Sequence, residues 1–74
     1  MIIVNQGKDQ IINFDNTGKV EIDAYQRPFQ INVCVNDIWT ELGQYETRER
    51  TKEVLQEIVQ AYIAGEKCYC MPKE

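Results

Sequence analysis

The chain has 74 residues, of which eight are basic and twelve acidic, so its net charge is −4, and it contains no histidine. A chain of this length forms one domain, 1–74, and so small a domain buries only about 60% of its unfolded surface. General binding to nucleic-acid backbones is disfavoured, because that affinity comes from clustered Lys and Arg that neutralise phosphates.

The first third of the chain predicts short strands separated by turn residues. Two apolar runs, "MIIV" at 1–4 and "IINF" at 11–14, flank a polar segment that contains Gly7. This arrangement fits a hairpin or loop. From Lys19 to Ala24, apolar and charged residues alternate, which is the period of a half-buried strand.

The clearest strand pattern follows Pro28, which interrupts the preceding alternation because it donates no backbone hydrogen bond. Apolar residues occupy every second position from Phe29 to Val35. The pair at 36–37, Asn-Asp, predicts a two-residue hairpin turn. The segment "IWTEL" at 38–42 is then the returning strand, and we expect Gly43 to end it.

An amphipathic helix is predicted from about Thr47, which is a suitable N-cap, to Ala64, just before a terminating Gly65. The inward stripe at helical spacing consists of Val54, Leu55, Ile58, Ala61 and Tyr62. Four residues are expected to be nearly fully buried: Ile31, Val33, Leu55 and Ile58.

The apolar side of this helix is wider than one sheet can cover. Val59 and Ile63 extend it to roughly 200° at ~100° per residue, about twice the minimum for a surface helix. We therefore expect another subunit or a partner protein to cover this flank. The alternative is that the last strand, "KCYCM" at 67–71, folds back over it within one chain.

The order of these elements predicts an α+β fold. We expect a curled antiparallel β-sheet of about five or six short strands, with one C-terminal helix packed on it and a short last strand. Pro72 closes that strand. No apolar run approaches the ~18 residues that suggest a transmembrane helix, so no membrane association is expected.

The absence of histidine and the positions of the cysteines limit the catalytic and metal-binding roles that the chain can have. Without histidine the chain lacks the commonest general base and metal ligand. Cys34, Cys68 and Cys70 lack the usual C-x2-C spacing and a fourth soft ligand, so we interpret them as buried or half-buried free thiols without structural zinc. Their odd number and the absence of a signal peptide predict a cytoplasmic protein. No enzyme, cofactor or metal is expected.

Two sets of residues are candidates for binding. The N-terminus of the helix attracts anions, so Thr47, Arg48 and Arg50 could form a phosphate pocket. A nucleotide-like ligand between subunits would use Arg27, Arg48 and Arg50 as cations and Trp39 or Tyr45 for stacking. The second set is an interface on the helix formed by Glu49, Glu53, Glu57, Val59 and Ile63. The competing interpretation of the first set is an exposed, charged first turn of the helix with Trp39 in the core. For the glutamates of the second set it is a solvated acidic ridge.

Three segments carry a resemblance to known proteins: "IVNQGKDQIINFDN", "LGQYETRERTKEVLQEIVQAY" and "MPKE". The chain resembles a group of small proteins of Firmicutes and their phages, which read IVNQ…IINLDNV and LGEY-T-EERAKEVL-EI. It departs from that pattern at Thr17, where Val is common, and at Thr51, where Ala is usual. The resemblance implies a phage or prophage accessory protein, and such short genes often encode inhibitors of host machinery or defence systems. It carries over no catalytic residues.

Two functions follow from these observations. The first is a non-enzymatic binding protein that forms a homodimer or higher homo-oligomer and inhibits a host defence system or another host protein. The alternative is an oligomeric sponge that binds a nucleotide-like anionic ligand in sites between subunits.

Overall fold

The computed structural model describes residues 1–16, 19–23 and 28–74. The elements are the strands β1 (Ile2–Val4), β2 (Ile11–Asn13), β3 (Lys19–Asp23), β4 (Phe29–Val35), β5 (Ile38–Tyr45) and β6 (Cys68–Cys70), the helix α1 (Arg48–Ile63), and a 3-10 turn at Phe14–Asn16. The predicted α+β class, with one helix followed by a short last strand, is confirmed. The strands are divided between two three-stranded sheets, β2-β1-β6 and β3-β4-β5.

The β3-β4-β5 sheet is antiparallel throughout, and α1 packs against all three of its strands. A two-residue turn joins β4 to β5, as the sequence predicts. Asn36 has φ 52° and Asp37 has φ 65°. Positive φ at both central residues is the requirement of a type I′ turn, whose twist matches that of the flanking strands.

β5 contains a bulge that changes which of its residues face the core. Ile31 pairs with Gly43 whereas Asn32 pairs with Glu41, so Leu42 is an extra residue on β5. The alternation reverses there, and both Leu42 and Gly43 are buried. The expectation that Gly43 ends the strand is wrong, because β5 continues to Tyr45.

The β2-β1-β6 sheet has β1 at its centre, antiparallel to β2 and parallel to β6. The loop between β1 and β2 is organised by the side chain of Asn5. Its Oδ1 accepts hydrogen bonds from the backbone N–H groups of Asp9 and Gln10, both at 3.0 Å, and its Nδ2 donates to Asp9 Oδ1 at 2.7 Å. This polar side chain is therefore satisfied although it is almost buried.

Gln6 joins the two sheets. Its backbone N–H donates to the carbonyl oxygen of Leu42 at 2.8 Å. Its side-chain amide pairs with the backbone of Gln44 in both directions, since Nε2 donates to the carbonyl oxygen and Oε1 accepts from the N–H, each at 2.8 Å. Nε2 also donates to the carbonyl oxygen of Lys73 at 2.8 Å. One side chain thus attaches β5 and the C-terminal segment to the end of β1.

The close approach of Gln6 explains the glycine in the middle of β5. A Cβ atom at Gly43 would lie 3.2 Å from the Cβ of Gln6 and 3.0 Å from the hydroxyl oxygen of Tyr45. Both contacts are tighter than van der Waals packing favours. A larger residue at this position would therefore push the two sheets apart.

The core lies between the two sheets and the helix, and consists of Ile3, Ile31, Val33, Leu42, Tyr45, Val54, Ile58 and Met71. The predicted burial of Ile31, Val33 and Ile58 is confirmed. The prediction for Leu55 is wrong, because it is only half-buried.

The helix is rotated relative to the predicted inward stripe. Its buried residues are Thr51, Val54 and Ile58. The face turned to the core is therefore centred on Val54, and Leu55 lies at its edge. Thr51 can occupy this face because its hydroxyl donates to the carbonyl oxygen of Thr47 at 2.8 Å. Tyr62, assigned to the inward stripe by its spacing, is exposed.

Gly43→Ala should lower the free energy of unfolding by about 1–3 kcal/mol, the usual cost of overpacking, because the new methyl group meets Gln6 and Tyr45. Urea denaturation of the variant and the wild type measures the difference. Gly7→Ala is the control, since a Cβ there lies no closer than 3.4 Å to its neighbours. Equal stability of Gly43→Ala and the wild type would contradict the proposed close packing at the junction.

Candidate functional site

The N-terminus of α1 is capped as predicted. Thr47 has extended backbone angles, φ −122° and ψ 152°. Its Oγ1 accepts a hydrogen bond from the backbone N–H of Arg50 at 3.0 Å. One of the free donors of the first turn is thereby already occupied by the chain itself.

Arg50 is held by groups of its own chain. Its Nη1 lies 3.3 Å from Glu53 Oε1 and 3.2 Å from Glu57 Oε2, and its Nε donates to the backbone oxygen of Glu74 at 3.0 Å. The hydrogen bond with Glu53 is the main cause of a raised pKa for Arg50, followed by the interactions with Glu57 and opposed by desolvation. The side chain is a permanent cation whose charge is already largely balanced.

Glu57 also connects the helix to the last strand. The hydroxyl of Tyr69 in β6 donates to Glu57 Oε1 at 2.8 Å. Burial, and then this hydrogen bond to a carboxylate, raises the pKa of Tyr69 above its ordinary value. Two members of the predicted acidic ridge, Glu53 and Glu57, are thus engaged within the chain, while Glu49 is exposed in the first turn.

A cleft of about 770 Å³ lies beside the start of α1 and is lined by Gln6, Gln44, Tyr45, Glu46, Thr47, Arg50, Lys73 and Glu74. A neighbouring cleft of about 420 Å³ shares Gln44, Tyr45 and Glu46 and adds Pro28. The larger cleft carries two cations, Arg50 and Lys73, and two carboxylate side chains, Glu46 and Glu74. Its charges are therefore mixed.

Tyr45 is a structural member of this cleft. It is only 3% exposed, and its hydroxyl donates to the carbonyl oxygen of Pro72 at 2.8 Å. Burial raises the pKa of Tyr45 to about 12, while Arg50 opposes and Glu57 adds to the rise. The phenol is consequently neutral at physiological pH and acts as a hydrogen-bond donor, with little ring surface free for stacking.

The structure does not assemble the other predicted ligand residues around this cleft. Trp39 is on β5, six residues before Tyr45, which corresponds to roughly 20 Å along a strand. The interpretation of Trp39 as a core residue is wrong, since it is 48% exposed. Arg48 is exposed and is not among the described residues that line the cleft. Arg27 lies outside the described residues.

No sequence pattern marks Gln6, Gln44 and Lys73 as cleft residues. Gln6 and Gln44 are 38 positions apart, and Gln6 and Lys73 are 67 apart. Their contacts depend on how the two sheets meet. No local periodicity or spacing in the sequence predicts contacts between residues of different sheets.

The predicted flank of the helix is open. Val59 is 40% and Ile63 is 71% exposed. The alternative in which the last strand covers this flank is wrong, because β6 pairs with β1 instead. Tyr62 is 56% exposed and contacts Phe14 edge to face, with ring centroids 5.6 Å apart. We call Val59, Tyr62 and Ile63 the apolar helix surface.

The three cysteines are free thiols. Cys34 is half-buried, as expected, whereas Cys68 and Cys70 are exposed, contrary to the interpretation from sequence. Within residues 1–16, 19–23 and 28–74, no group of three or more Cys, Asp or Glu side chains is arranged to hold a metal ion. Among the same residues, α1 is too short and too polar to span a membrane.

Comparison with protein families, with curated proteins and with solved structures finds no match to this chain. The exposed apolar helix surface and the cleft beside the start of α1 are therefore the features from which a function is proposed.

The stability of the protein should fall as the pH rises from about 10 to 12. A tyrosine with an ordinary pKa of 10 ionises in the unfolded chain, whereas Tyr45 in the folded chain remains neutral up to about 12. A difference of this size corresponds to about 2–3 kcal/mol, fully present below pH 10 and lost as the pH rises through the folded-state value. Urea denaturation across this pH range measures the loss.

Tyr45→Phe should reduce this alkaline loss, and should cost about 1 kcal/mol at neutral pH through the missing hydrogen bond to Pro72. Tyr62→Phe is the control, because that ring is exposed. An unchanged alkaline loss in Tyr45→Phe would assign the loss to Tyr69, whose pKa is also raised, by burial and by its hydrogen bond to Glu57.

Proposed function

We propose that the protein acts by binding, without catalysis, as a homo-oligomer whose subunits meet through the apolar helix surface. The observation that carries this proposal is the joint exposure of Val59, Tyr62 and Ile63 on one side of α1. Burying such a side chain fully contributes roughly 1.5–3 kcal/mol. A domain of 74 residues is only marginally stable. Burying this surface by association would therefore add substantially to its free energy of unfolding.

A two-fold pairing of this surface is the simplest assembly. In a two-fold dimer each residue of the patch meets the same patch on the second copy. The helix positions beside the patch, Gln56 and Gln60, are exposed and uncharged. They can form the polar rim of an interface without placing like charges opposite each other.

The assembled protein would then occupy a surface of a host protein. The resemblance of its two long segments to small proteins of Firmicutes and their phages supports an accessory role in infection. We infer that the partner is a component of a host defence system or of other host machinery. The net charge of −4 favours a partner with a basic surface.

The double variant Val59→Glu, Ile63→Glu should be a folded monomer, whereas the wild type should sediment as a dimer or larger oligomer. Charged residues at both positions would be desolvated in the interface but solvated in the free subunit, because both are exposed there. Sedimentation velocity, light scattering and circular dichroism measure mass and folding together. Ile11→Glu, Ile38→Glu is the matched control, because it adds the same two charges at exposed isoleucines that lie on strands and not on the helix.

A monomeric wild type, or an oligomer that persists in the double variant, would contradict assembly through this surface. The inhibitory role is tested separately. Phages are plated on a Firmicutes host that restricts them and that expresses the wild type, the monomeric variant or the control. More plaques with the wild type and the control than with the monomeric variant support the role, and equal restriction in all strains contradicts it.

The second candidate function is capture of an anionic, nucleotide-like ligand. The observation in its favour is the cleft of about 770 Å³, which is within the usual size range of small-molecule sites. It lies at a helix N-terminus, where backbone dipoles attract anions, and Lys73 lines it together with Arg50, whose charge Glu53 and Glu57 already largely balance. An oligomer would be needed to enclose the ligand, since the cleft of one chain is open to solvent.

This candidate predicts that ADP, used as a probe, binds the wild type and binds Lys73→Gln several-fold more weakly. Isothermal titration calorimetry measures the affinity. Lys67→Gln is the control, because Lys67 is exposed and is not among the described residues that line the cleft. Two results together would count against ligand capture: no heat when ADP is titrated into the wild type, and no absorption at 260 nm by the purified protein beyond that of its own residues.

A further inference from the structure

The outer face of the β2-β1-β6 sheet carries two cysteines side by side. Tyr69 pairs with Ile3, which is fully buried, and its hydroxyl reaches Glu57 on the helix. The side chain of Tyr69 therefore points to the interior. Because successive side chains in a strand point to opposite faces, Cys68 and Cys70 both point outward, and both are exposed.

The strand that carries these thiols is fixed at both ends. The backbone N–H of Ile2 donates to the carbonyl oxygen of Lys67 at 2.9 Å, and that of Met71 donates to the carbonyl oxygen of Val4 at 2.9 Å. Met71 is itself buried in the core. The two thiols are thus presented on a rigid element, as a binding site requires.

The surroundings of the thiols are apolar. The parallel register places Ile2 beside Cys68 and Val4 beside Cys70 on the same face. Within the part of the chain that the structure describes, no third cysteine or carboxylate completes a larger ligand group around them. The site therefore offers two soft sulfur ligands.

The spacing of the thiols is close to the upper limit for a direct bond. Residues two apart in a strand are separated by about 6.6 Å, whereas Cα separations across disulfides run from about 4.4 to 6.8 Å and are most often about 5.5–6 Å. Two metal–sulfur bonds of about 2.3 Å each span about 4.6 Å when they are collinear. Side chains that lean toward each other from adjacent outward positions can reach that span.

We propose that Cys68 and Cys70 form a two-coordinate site for Cu(I) on the outer face of this sheet. Soft thiolates are ligands of Cu(I), zinc and iron–sulfur clusters; structural zinc requires four ligands and iron–sulfur clusters use four cysteines, so a pair of thiols fits Cu(I) best. Binding releases the thiol protons: two RSH groups and one Cu(I) give a bis-thiolate complex of charge −1 and two protons, with no change of oxidation state. Because binding displaces the thiol protons, affinity should increase with pH.

Competition with a chromophoric Cu(I) chelator under anaerobic, reducing conditions tests this site. The wild type should withdraw one equivalent of Cu(I) per chain and remain at its original mass. Cys68→Ser and Cys70→Ser should each weaken binding at least about tenfold. Cys34→Ser is the matched control and should bind as the wild type does, since Cys34 belongs to the other sheet.

A second measurement makes no use of variants. Cu(I) should protect Cys68 and Cys70, but not Cys34, from alkylation by iodoacetamide, as read by mass spectrometry of peptides. Four outcomes would overturn the proposal: no competition by the wild type, retention of full affinity by either serine variant, one Cu(I) shared between two chains with a doubled mass, or equal protection of all three thiols.

Discussion

The hydrogen bonds of Gln6 are the interaction on which the arrangement of this protein depends. One residue supplies a backbone donor to Leu42 and a side-chain amide that pairs in both directions with Gln44. The same amide holds the backbone of Lys73. The two sheets share few other direct backbone links among the described residues, so this junction sets their relative position. It also requires a glycine at 43, because the side chain of Gln6 lies against that backbone.

The functional candidates are carried by different elements: the start of α1, its last turns and β6. Beside the junction, Tyr45 and the C-terminal segment form the cleft at the start of α1, and Arg50 connects that segment to Glu57. Tyr69 connects Glu57 to β6, so the helix and the last strand are held together. Because Tyr69 faces the helix, its strand neighbours Cys68 and Cys70 face outward. The proposed self-association, ligand capture and metal binding would therefore use different elements of the chain.

Much of the fold was predictable because its signals are local. The alternation of β4 identifies the strand and its buried residues, and the Asn-Asp pair at 36–37 adopts the positive φ angles that a tight hairpin needs. Thr47 caps the helix, and Gly65, with φ 74°, ends it. The exposure of Val59 and Ile63 was also foreseen, since the width of an apolar helix sector can be read from spacing alone. Each of these features depends on a residue and its close neighbours in the chain.

The sequence by itself thus determined the elements, their order and the apolar excess on the helix. Only the tertiary structure decided how these elements meet. The bulge at Leu42 places Tyr45 in the core, on the opposite face of β5 from Trp39. The rotation of α1 buries Thr51 instead of Leu55. Gln6 forms hydrogen bonds with Gln44, which is 38 positions away in the chain. The physical reason is that these features depend on packing and hydrogen bonding between segments far apart in the chain. The geometry of the fold determines which residues meet there, and no periodic pattern in the sequence records those contacts.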